Sequence, residues 1–220
     1  MKNFIPKIIL CSLMLISSAV SADQVRVTTL QAAPGQLEAL ISDVKGYRAG
    51  KSEQVIIMRH SQGDHWDLLL LEPAGLVPTK MADFGHRANF QHTFLATTDA
   101  KFTALKETAN KTGLYHIEMF HALAGKKQEL IGQRRMENRY LKNTGQVTNE
   151  IFGTVIGSDV DIFTIGFHTD MTAFAKGPSV SDAQAESFAK EAGFRDRNHI
   201  GLYLRSLLTR HFDTLAVPVK

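Results

Sequence analysis

The residues of this 220-residue chain that best suit chemistry by type and spacing are a histidine and a glutamate two positions apart, His116 and Glu118. Both lie in segment 115–120, whose alternating pattern predicts a β-strand, so their side chains point to one face. An imidazole beside a carboxylate can share a proton or a metal ion, and either arrangement shifts the pKa values of both groups. The alternative is that this face is the solvated side of an open sheet.

Five further residues are candidates for ligand binding, and the first is Phe120, which shares a strand face with His116 and Glu118. Thr164 and His168 share one face of a later predicted strand, and we expect them to reach the same cavity as Glu118. Arg135 and Glu137 lie in a charged stretch of a predicted helix. That stretch is either a solvated helix face with ion pairs or a place where the two side chains hold an anionic ligand.

Several classes of enzyme are disfavoured because their motifs are absent from the sequence. It contains no nucleophile elbow, phosphate loop, dinucleotide-binding glycine motif or zincin motif. Its one cysteine, Cys11, precedes the expected mature chain, which excludes disulfides, thiolate nucleophiles and cysteine-ligated metals there. We therefore predict no bound metal, and no cofactor apart from the haem considered below.

The first 22 residues predict a secretory signal peptide. Lys2 and Lys7 precede an apolar run over 8–16, which is too short to span a bilayer, and small residues follow at 20–22. Removal of this segment leaves 23 basic and 22 acidic residues, a net charge of +1. We expect an exported protein, periplasmic or secreted, with no nucleic-acid partner and no membrane association after cleavage.

An internal repeat organises the rest of the chain. Residues 25–41 align with 115–131 at an offset of 90 positions, and residues 63–71 align with 157–165 at an offset of 94. Each copy predicts strand, helix, strand, strand, which is most of a ferredoxin-like unit. We predict one repeat with a helical extension over 23–112 and a second with C-terminal helices over 113–220. Chance similarity of short apolar patterns is the alternative.

The repeats are predicted to form a barrel. Segments 68–71 and 162–165 are apolar at odd and even positions alike, so both faces of these strands need to be covered. Helices would cover one face, and closure of two antiparallel sheets into a barrel would cover the other. Strand parity predicts that Tyr115, Ile117 and Met119 face the helices. His116, Glu118 and Phe120 then face the barrel interior, with Arg135 and Glu137 at its mouth.

Local signals add expectations for the remaining elements. Asp67 and Asp161, which repeat, should fix turns by binding backbone amides. Asp99 should cap a helix over 100–111, and Ser181 to Gln184 form a capping box. A helix is predicted over 196–215 with His211 on its apolar face, whereas no structure is assigned to 73–99.

These features together resemble the dimeric α+β barrel superfamily, and most of all its NIPSNAP branch. The resemblance rests on a strand leading into the turn at Pro34-Gly35 or Ala124-Gly125, then an amphipathic helix and a hairpin with an aspartate. It covers roughly residues 25–71 and 115–175, and residues 170–174 resemble the short helix that follows the hairpin in that branch. The long middle segment and the extended C-terminal helices depart from the pattern.

The resemblance implies three functions. The first is an exported protein that holds a small apolar or aromatic molecule inside the barrel. As a cofactor-independent enzyme it would oxygenate an activated carbon acid, with His116 accepting the proton and Glu118 orienting it. The second is haem binding through His211 on a helix beside the sheet. The third is a non-catalytic interaction module whose barrel interior is filled by side chains, and the resemblance also allows a homodimer.

Overall fold

A computed structural model describes residues 23–51, 54–75 and 83–220. The predicted signal peptide lies outside these ranges. The strands are β1 (Asp23–Ala32), β2 (Ile56–Gln62), β3 (Leu68–Pro73), β4 (Ala88–Thr98), β5 (Leu114–Ala122), β6 (Asn149–Ile156), β7 (Ile162–His168) and β8 (Leu208–Pro218). The helices are α1 (Leu37–Gly50), α2 (Phe102–Ala109), α3 (Lys127–Asn143), α4 (Met171–Ala175), α5 (Asp182–Glu191) and α6 (Arg197–Arg205), with a 3-10 turn at Gly85–Arg87.

The eight strands form one closed antiparallel barrel in the order β1-β3-β2-β8-β5-β7-β6-β4. Within this ring, the first half reads β4-β1-β3-β2 and the second half reads β8-β5-β7-β6. The two halves therefore have the same strand order, and they join where β2 meets β8 and where β4 meets β6. This architecture confirms the predicted α+β class with two ferredoxin-like repeats forming a barrel.

Apolar side chains fill the barrel interior. Every strand contributes to one buried cluster, and α2 adds Phe102, Leu105 and Ala109 to it. An eight-stranded barrel is just wide enough for side chains to fill it. Packed side chains therefore occupy the middle of the barrel, where a central hollow was expected, and binding of a ligand inside the barrel stays a prediction.

Helices cover the outer face of the sheet in both halves. In the first half, Leu40 and Val44 of α1 belong to a cluster with Leu68 and Leu70. In the second half, Leu130 of α3 and Leu204 of α6 pack in a cluster with Phe120 and Ile162. The strands that are apolar at both parities thus have cover on both faces, as predicted.

The faces assigned to β5 from the sequence are reversed. Tyr115, Ile117 and Met119 belong to the interior cluster, whereas Phe120 belongs to the cluster under the helices. Because residues of equal parity share a face, His116 and Glu118 also point outward, toward α3. The physical reason is that the closed interior is packed mainly with apolar side chains, whereas the outer face receives a charged partner from α3.

The C-terminal prediction is also wrong in part. The helix that begins at residue 197 ends at Arg205, and residues 208–218 form β8 between β2 and β5. Side chains of β8 alternate between two faces, and Phe212, Thr214 and Ala216 lie on one of them. The aromatic and β-branched residues of this segment favour a strand. His211 therefore lies on a strand and not on a helix.

Two further differences concern the middle of the chain. Part of the unassigned segment 73–99 forms β4, which pairs with β1 and β6. Asp99 does not cap α2: its carboxylate pairs with Arg135, and the amide of Phe102 donates instead to Asp23. A distant strand thus supplies the acceptor that the local sequence was expected to provide.

Three local predictions are confirmed. The Ala32 amide donates to Asp67 over 2.7 Å and the Ala122 amide donates to Asp161 over 2.8 Å, at equivalent turns of the two halves. The capping box at Ser181 is present at the start of α5.

Within the ranges that the structure describes, no helix is long and apolar enough to cross a bilayer.

Candidate functional site

A cleft on the outer face of the second half brings several of the candidate residues together. It has a volume of about 370 Å³ and lies between β5, β7, α3 and α4. Its apolar wall includes Leu141, Val147 and Phe174. Its polar groups include His116, Glu118, Glu137, His168 and Lys176. An apolar pocket with a few convergent polar groups is the usual form of a small-molecule site.

Two histidines and two carboxylates meet at the polar end of this cleft. The Nε2 atom of His116 lies 3.2 Å from Oδ1 of Asp213. The Nε2 atom of His211 lies 3.3 Å from Oε1 of Glu118 and 3.5 Å from Oδ1 of Asp213. The sheet sets this arrangement, because Glu118 and Asp213 are direct partners across the β5–β8 pairing. We refer to these four residues as the polar cluster.

The other oxygen of Glu118 is held by partners outside the polar cluster. Thr164 donates a hydrogen bond of 3.0 Å to Oε2 of Glu118, and Arg134 donates to the same oxygen over 3.3 Å. Arg134 also pairs with Glu137. The arrangement leaves Oε1 of Glu118 facing His211 and fixes the carboxylate from behind.

His168 lies on the wall of the cleft at the end of β7. Its ring packs edge-on against Phe174 with centroids 5.3 Å apart, and its Nδ1 atom has no hydrogen-bond partner among the described residues. Gly166 makes room for this ring, because a Cβ at residue 166 would lie 2.9 Å from Nε2 of His168. His168 therefore lines the cleft and carries a buried ring nitrogen without a hydrogen-bond partner among the described residues.

The protonation equilibria of several groups in the site are shifted. Burial acts to lower the pKa of His116, but the hydrogen bond to Asp213 and the charge of Glu118 outweigh it and raise the pKa. Burial acts to raise the pKa of Glu118, but His211 and Arg134 outweigh it and lower the pKa. Burial lowers the pKa of His168, with a contribution from His116. The site therefore favours a neutral His168 beside an ionised Glu118.

The remaining sequence candidates fall in different places. Phe120 stacks on His211 with ring centroids 4.7 Å apart and does not line the cleft, and Thr164 supports Glu118 from behind. Glu137 lines the cleft, whereas Arg135 projects into solvent and pairs with Asp99. The prediction that Arg135 and Glu137 stand at the barrel mouth is wrong, because α3 packs on the outer face of the barrel.

Sequence reasoning missed Arg134 and Asp213. Arg134 follows Leu130 by four positions on α3, so helical periodicity places both on the buried face. That spacing was a usable signal, although a charged residue on a buried face is unusual. Asp213 offered no such signal, because it joins the site only through β8, which was predicted as helix.

The first half of the barrel has different residues at the equivalent positions. The 90-residue offset matches His116 with Arg26 and Glu118 with Thr28. The strand pairing matches Asp213 with Thr93 and His211 with Gln91. Thr28 and Thr93 share a simple hydrogen bond of 3.0 Å, and Arg26 pairs with the buried Glu72. The same topology therefore forms in the first half without a polar cluster of this kind.

A second cavity of about 430 Å³ lies at the mouth of the barrel. Its lining includes Trp66, Phe90, His92, His121 and Arg210. The polar groups here are mutually engaged, since Arg210 contacts His121 over 3.2 Å and Asp159 over 3.0 Å. None of the eight site residues predicted from the sequence lines this cavity.

His211 does not fit the role of a haem ligand. Its side chain is 7% exposed, stacks face to face on Phe120 and has Nε2 within 3.5 Å of two carboxylates. An axial ligand needs a nitrogen that faces an open space beside the iron. The hypothesis that haem binds through His211 is therefore not supported by the position of this residue.

Comparisons with known proteins relate the chain to others by structure alone. Neither a scan against protein-family models nor a search of curated protein sequences gives a match. An anthrone oxidase-like protein superposes with a TM-score of 0.58 at 8% identity, over 90% of this chain and 92% of that chain. A protein from Lactobacillus acidophilus NCFM, assigned provisionally as a monooxygenase, superposes with a TM-score of 0.53 at 10% identity, over 91% and 95%.

A mutant chlorite dismutase from Candidatus Nitrospira defluvii is similar to the same degree. It superposes with a TM-score of 0.52 at 11% identity, over 89% of this chain and 91% of that chain. These three proteins belong to the dimeric α+β barrel superfamily, and this chain has their fold. At such low identity the similarity establishes the fold and leaves the activity to be argued from the site.

Proposed function

We propose that the protein binds a small, largely apolar molecule in the cleft of the second half, with the molecule's polar group toward the polar cluster. The observation that carries this proposal is the difference between the two halves. At equivalent positions the first half has an ion pair and a threonine pair, whereas the second half has two histidines and two carboxylates beside a cavity. Buried charge that the fold does not need is typical of a functional site.

The shape and lining of the cleft define the class of ligand. Leu141, Val147 and Phe174 offer apolar contact, and the volume of about 370 Å³ suits a molecule of one or two aromatic rings. His168 and the polar cluster offer hydrogen bonds at one end. We therefore infer an aromatic or otherwise apolar ligand that carries one hydrogen-bonding or acidic group.

Oxygenase-like chemistry is the activity that we propose for such a ligand. Two structural neighbours have oxidase or monooxygenase in their descriptions, which supports this class without identifying a substrate. The sequence assigns His116 as proton acceptor and Glu118 as the group that orients it. In the structure Asp213, not Glu118, makes the hydrogen bond to His116, so Asp213 takes over the orienting role in this proposal.

A non-catalytic interaction module is the second candidate. The observation in its favour is the barrel interior, which is filled by side chains from every strand. Under this alternative the polar cluster is a structural ion-pair network, and the cleft takes up no small molecule.

Binding of 2-naphthol, an aromatic probe with one acidic hydroxyl, tests the proposal. Ala173 lines the cleft on α4, so Ala173→Trp should fill it and weaken the binding of 2-naphthol at least about tenfold in a fluorescence titration. Thr172→Trp is the matched control, because Thr172 is exposed on the same helix and lies outside the cleft. Equal affinities for the two variants would refute a ligand site in this cleft.

The wider setting of the protein is also a proposal. The signal peptide expected over residues 1–22 supports export to a periplasm or to the medium, and the pattern of residues 170–174 supports the NIPSNAP branch. A homodimer is compatible with the superfamily.

A further inference from the structure

We infer that the polar cluster binds one divalent cation of the first transition row, of the Zn²⁺ type, through His116, Glu118, His211 and Asp213. The inference deepens the proposed function, because it rests on that site and places a cofactor at the polar end of the same cleft. It also reverses the prediction from sequence that the chain binds no metal. Imidazole nitrogens and carboxylate oxygens together are a ligand set typical of such ions.

Three of the separations between donor atoms are close to those of a tetrahedral site. Metal–ligand bonds of about 2.0–2.2 Å place the four ligand atoms of a tetrahedron roughly 3.3–3.6 Å apart. The observed separations are 3.2 Å between His116 and Asp213, 3.3 Å between His211 and Glu118, and 3.5 Å between His211 and Asp213. The donor atoms of His116, Glu118 and Asp213 also lie within 4.8 Å of one another.

His211 provides an independent observation that points to a ligand. Its side chain is 93% buried, yet its Nε2 atom has no hydrogen-bond partner among the described residues. The atom lies near Glu118 and Asp213 but is not aligned to bond either carboxylate. A buried polar atom without a partner is unfavourable, and a metal ion between the same groups would provide the missing partner.

The surroundings of the polar cluster are those of a supported metal site. Thr164 and Arg134 occupy Oε2 of Glu118 and leave Oε1 on the side of His211. Hydrogen bonds from outside the ligand set usually orient metal-binding carboxylates in this way. The charges also balance: two carboxylates neutralise one divalent ion, while Glu137 neutralises Arg134.

Solvent can reach the polar cluster from one side. The side chain of Asp213 is 56% exposed and that of His116 is 20% exposed, whereas His211 and Glu118 are buried. An ion can therefore enter past Asp213 without opening the fold. The equivalent residues of the first half, Arg26, Thr28, Gln91 and Thr93, do not form such a ligand set.

Metal binding gives His116 a second role that excludes the first. A metal-bound Nε2 atom cannot accept a proton, so the proton-acceptor role of His116 applies only to the metal-free protein. In the metal-bound protein, the polar group of the ligand would approach the ion instead.

The test uses the full protein after treatment with EDTA, with Zn²⁺ added in a calorimetric titration. We expect one Zn²⁺ per chain. Asp213→Asn and His116→Asn should each weaken the affinity at least about tenfold, because each removes one ligand. Asp159→Asn is the matched control: Asp159 is an exposed carboxylate 3.6 Å from His121 at the barrel mouth, and its loss should leave the affinity unchanged.

Each outcome of this test decides the inference. Absence of stoichiometric Zn²⁺ binding, or unchanged affinity in both ligand variants, would overturn it. Circular dichroism of the metal-free variants checks their folding. The visible spectrum of the Co²⁺-loaded wild-type protein needs no variant, and the absence of tetrahedral ligand-field bands would also count against the site. Zn²⁺ binding without 2-naphthol binding would retain the metal site and refute the proposed function. Binding of 2-naphthol without Zn²⁺ binding would retain the proposed function and refute the metal site.

Discussion

At the scale of single residues, the first half of the barrel contains a buried charge with a complete set of partners. Glu72 is 3% exposed and accepts hydrogen bonds from Arg26 and from the hydroxyl of Tyr47. All three groups are satisfied by one another, so nothing in this network points to a ligand. The contrast with the partnerless nitrogen of His211 distinguishes a structural network from a candidate site.

The hydroxyl of Tyr47 should titrate unusually late. Burial and the hydrogen bond to Glu72 raise the pKa of Tyr47 from 10.0 to about 12. Because the folded-state pKa is raised, this stabilising contribution is complete below pH 10 and is lost as the pH rises through about 12. The difference between the tyrosinate absorbance titrations of the wild type and Tyr47→Phe isolates this group. Ionisation of Tyr47 near pH 10 in the folded protein would contradict the prediction.

The turn carboxylates should contribute measurably to stability. Asp161→Ala removes the acceptor of the Ala122 amide, and we expect the free energy of unfolding to fall by about 1–3 kcal/mol. Asp161→Asn keeps an acceptor oxygen and should cost less. Urea denaturation measures both, with Asp159→Ala as a control for the loss of an exposed charge in the same turn. A loss no larger for Asp161→Ala than for this control would contradict the assigned role.

At the scale of elements, α2 acts as part of the barrel core. Phe102, Leu105 and Ala109 belong to the interior cluster, although the helix lies between the two halves in sequence. Their spacing of three and four positions places all three on one face of the helix. The partner of that face was not predictable, because it comprises strands from the whole ring.

Truncation of Phe102 should therefore destabilise the whole barrel. Phe102→Ala leaves a cavity in the interior cluster, and we expect a loss of about 3–5 kcal/mol in the free energy of unfolding. Thr103→Ala, at an exposed position on the same helix, should change it by less than about 0.5 kcal/mol. Guanidinium denaturation distinguishes the two. A small effect of Phe102→Ala would show that α2 is dispensable for the core.

The elements that sequence reasoning predicted correctly are those with strong local signals. The turns at Gly35 and Gly125, where φ is +74° and +76°, and the capping box at Ser181 are specified within a few residues. The sequence of β8 was misleading in this respect. Apolar residues at 200, 204, 207 and 208 have a helical spacing that continues up to the start of the strand. Its conformation is fixed by the open edges of β2 and β5, which only the closed barrel brings together.

At the scale of the whole molecule, two halves of equal topology serve different purposes. The first half buries a self-contained ion pair, whereas the second half carries the cleft and the polar cluster. The sequence predicted the equal topology of the two halves, and it singled out His116 and Glu118, which line the cleft. The prediction placed both residues on the wrong face of β5. Alternation along a strand defines two faces, and only closure of the barrel decides which of them is the interior.

The most direct measurement is a set of amide NMR spectra of the protein titrated with 2-naphthol. We predict saturable shifts for residues that line the cleft, such as His168, Ala173 and Phe174, and no change in the indole signal of Trp66 at the barrel mouth. Shifts centred on Trp66 and Phe90, with the cleft unaffected, would contradict the account and move the ligand site to the barrel mouth.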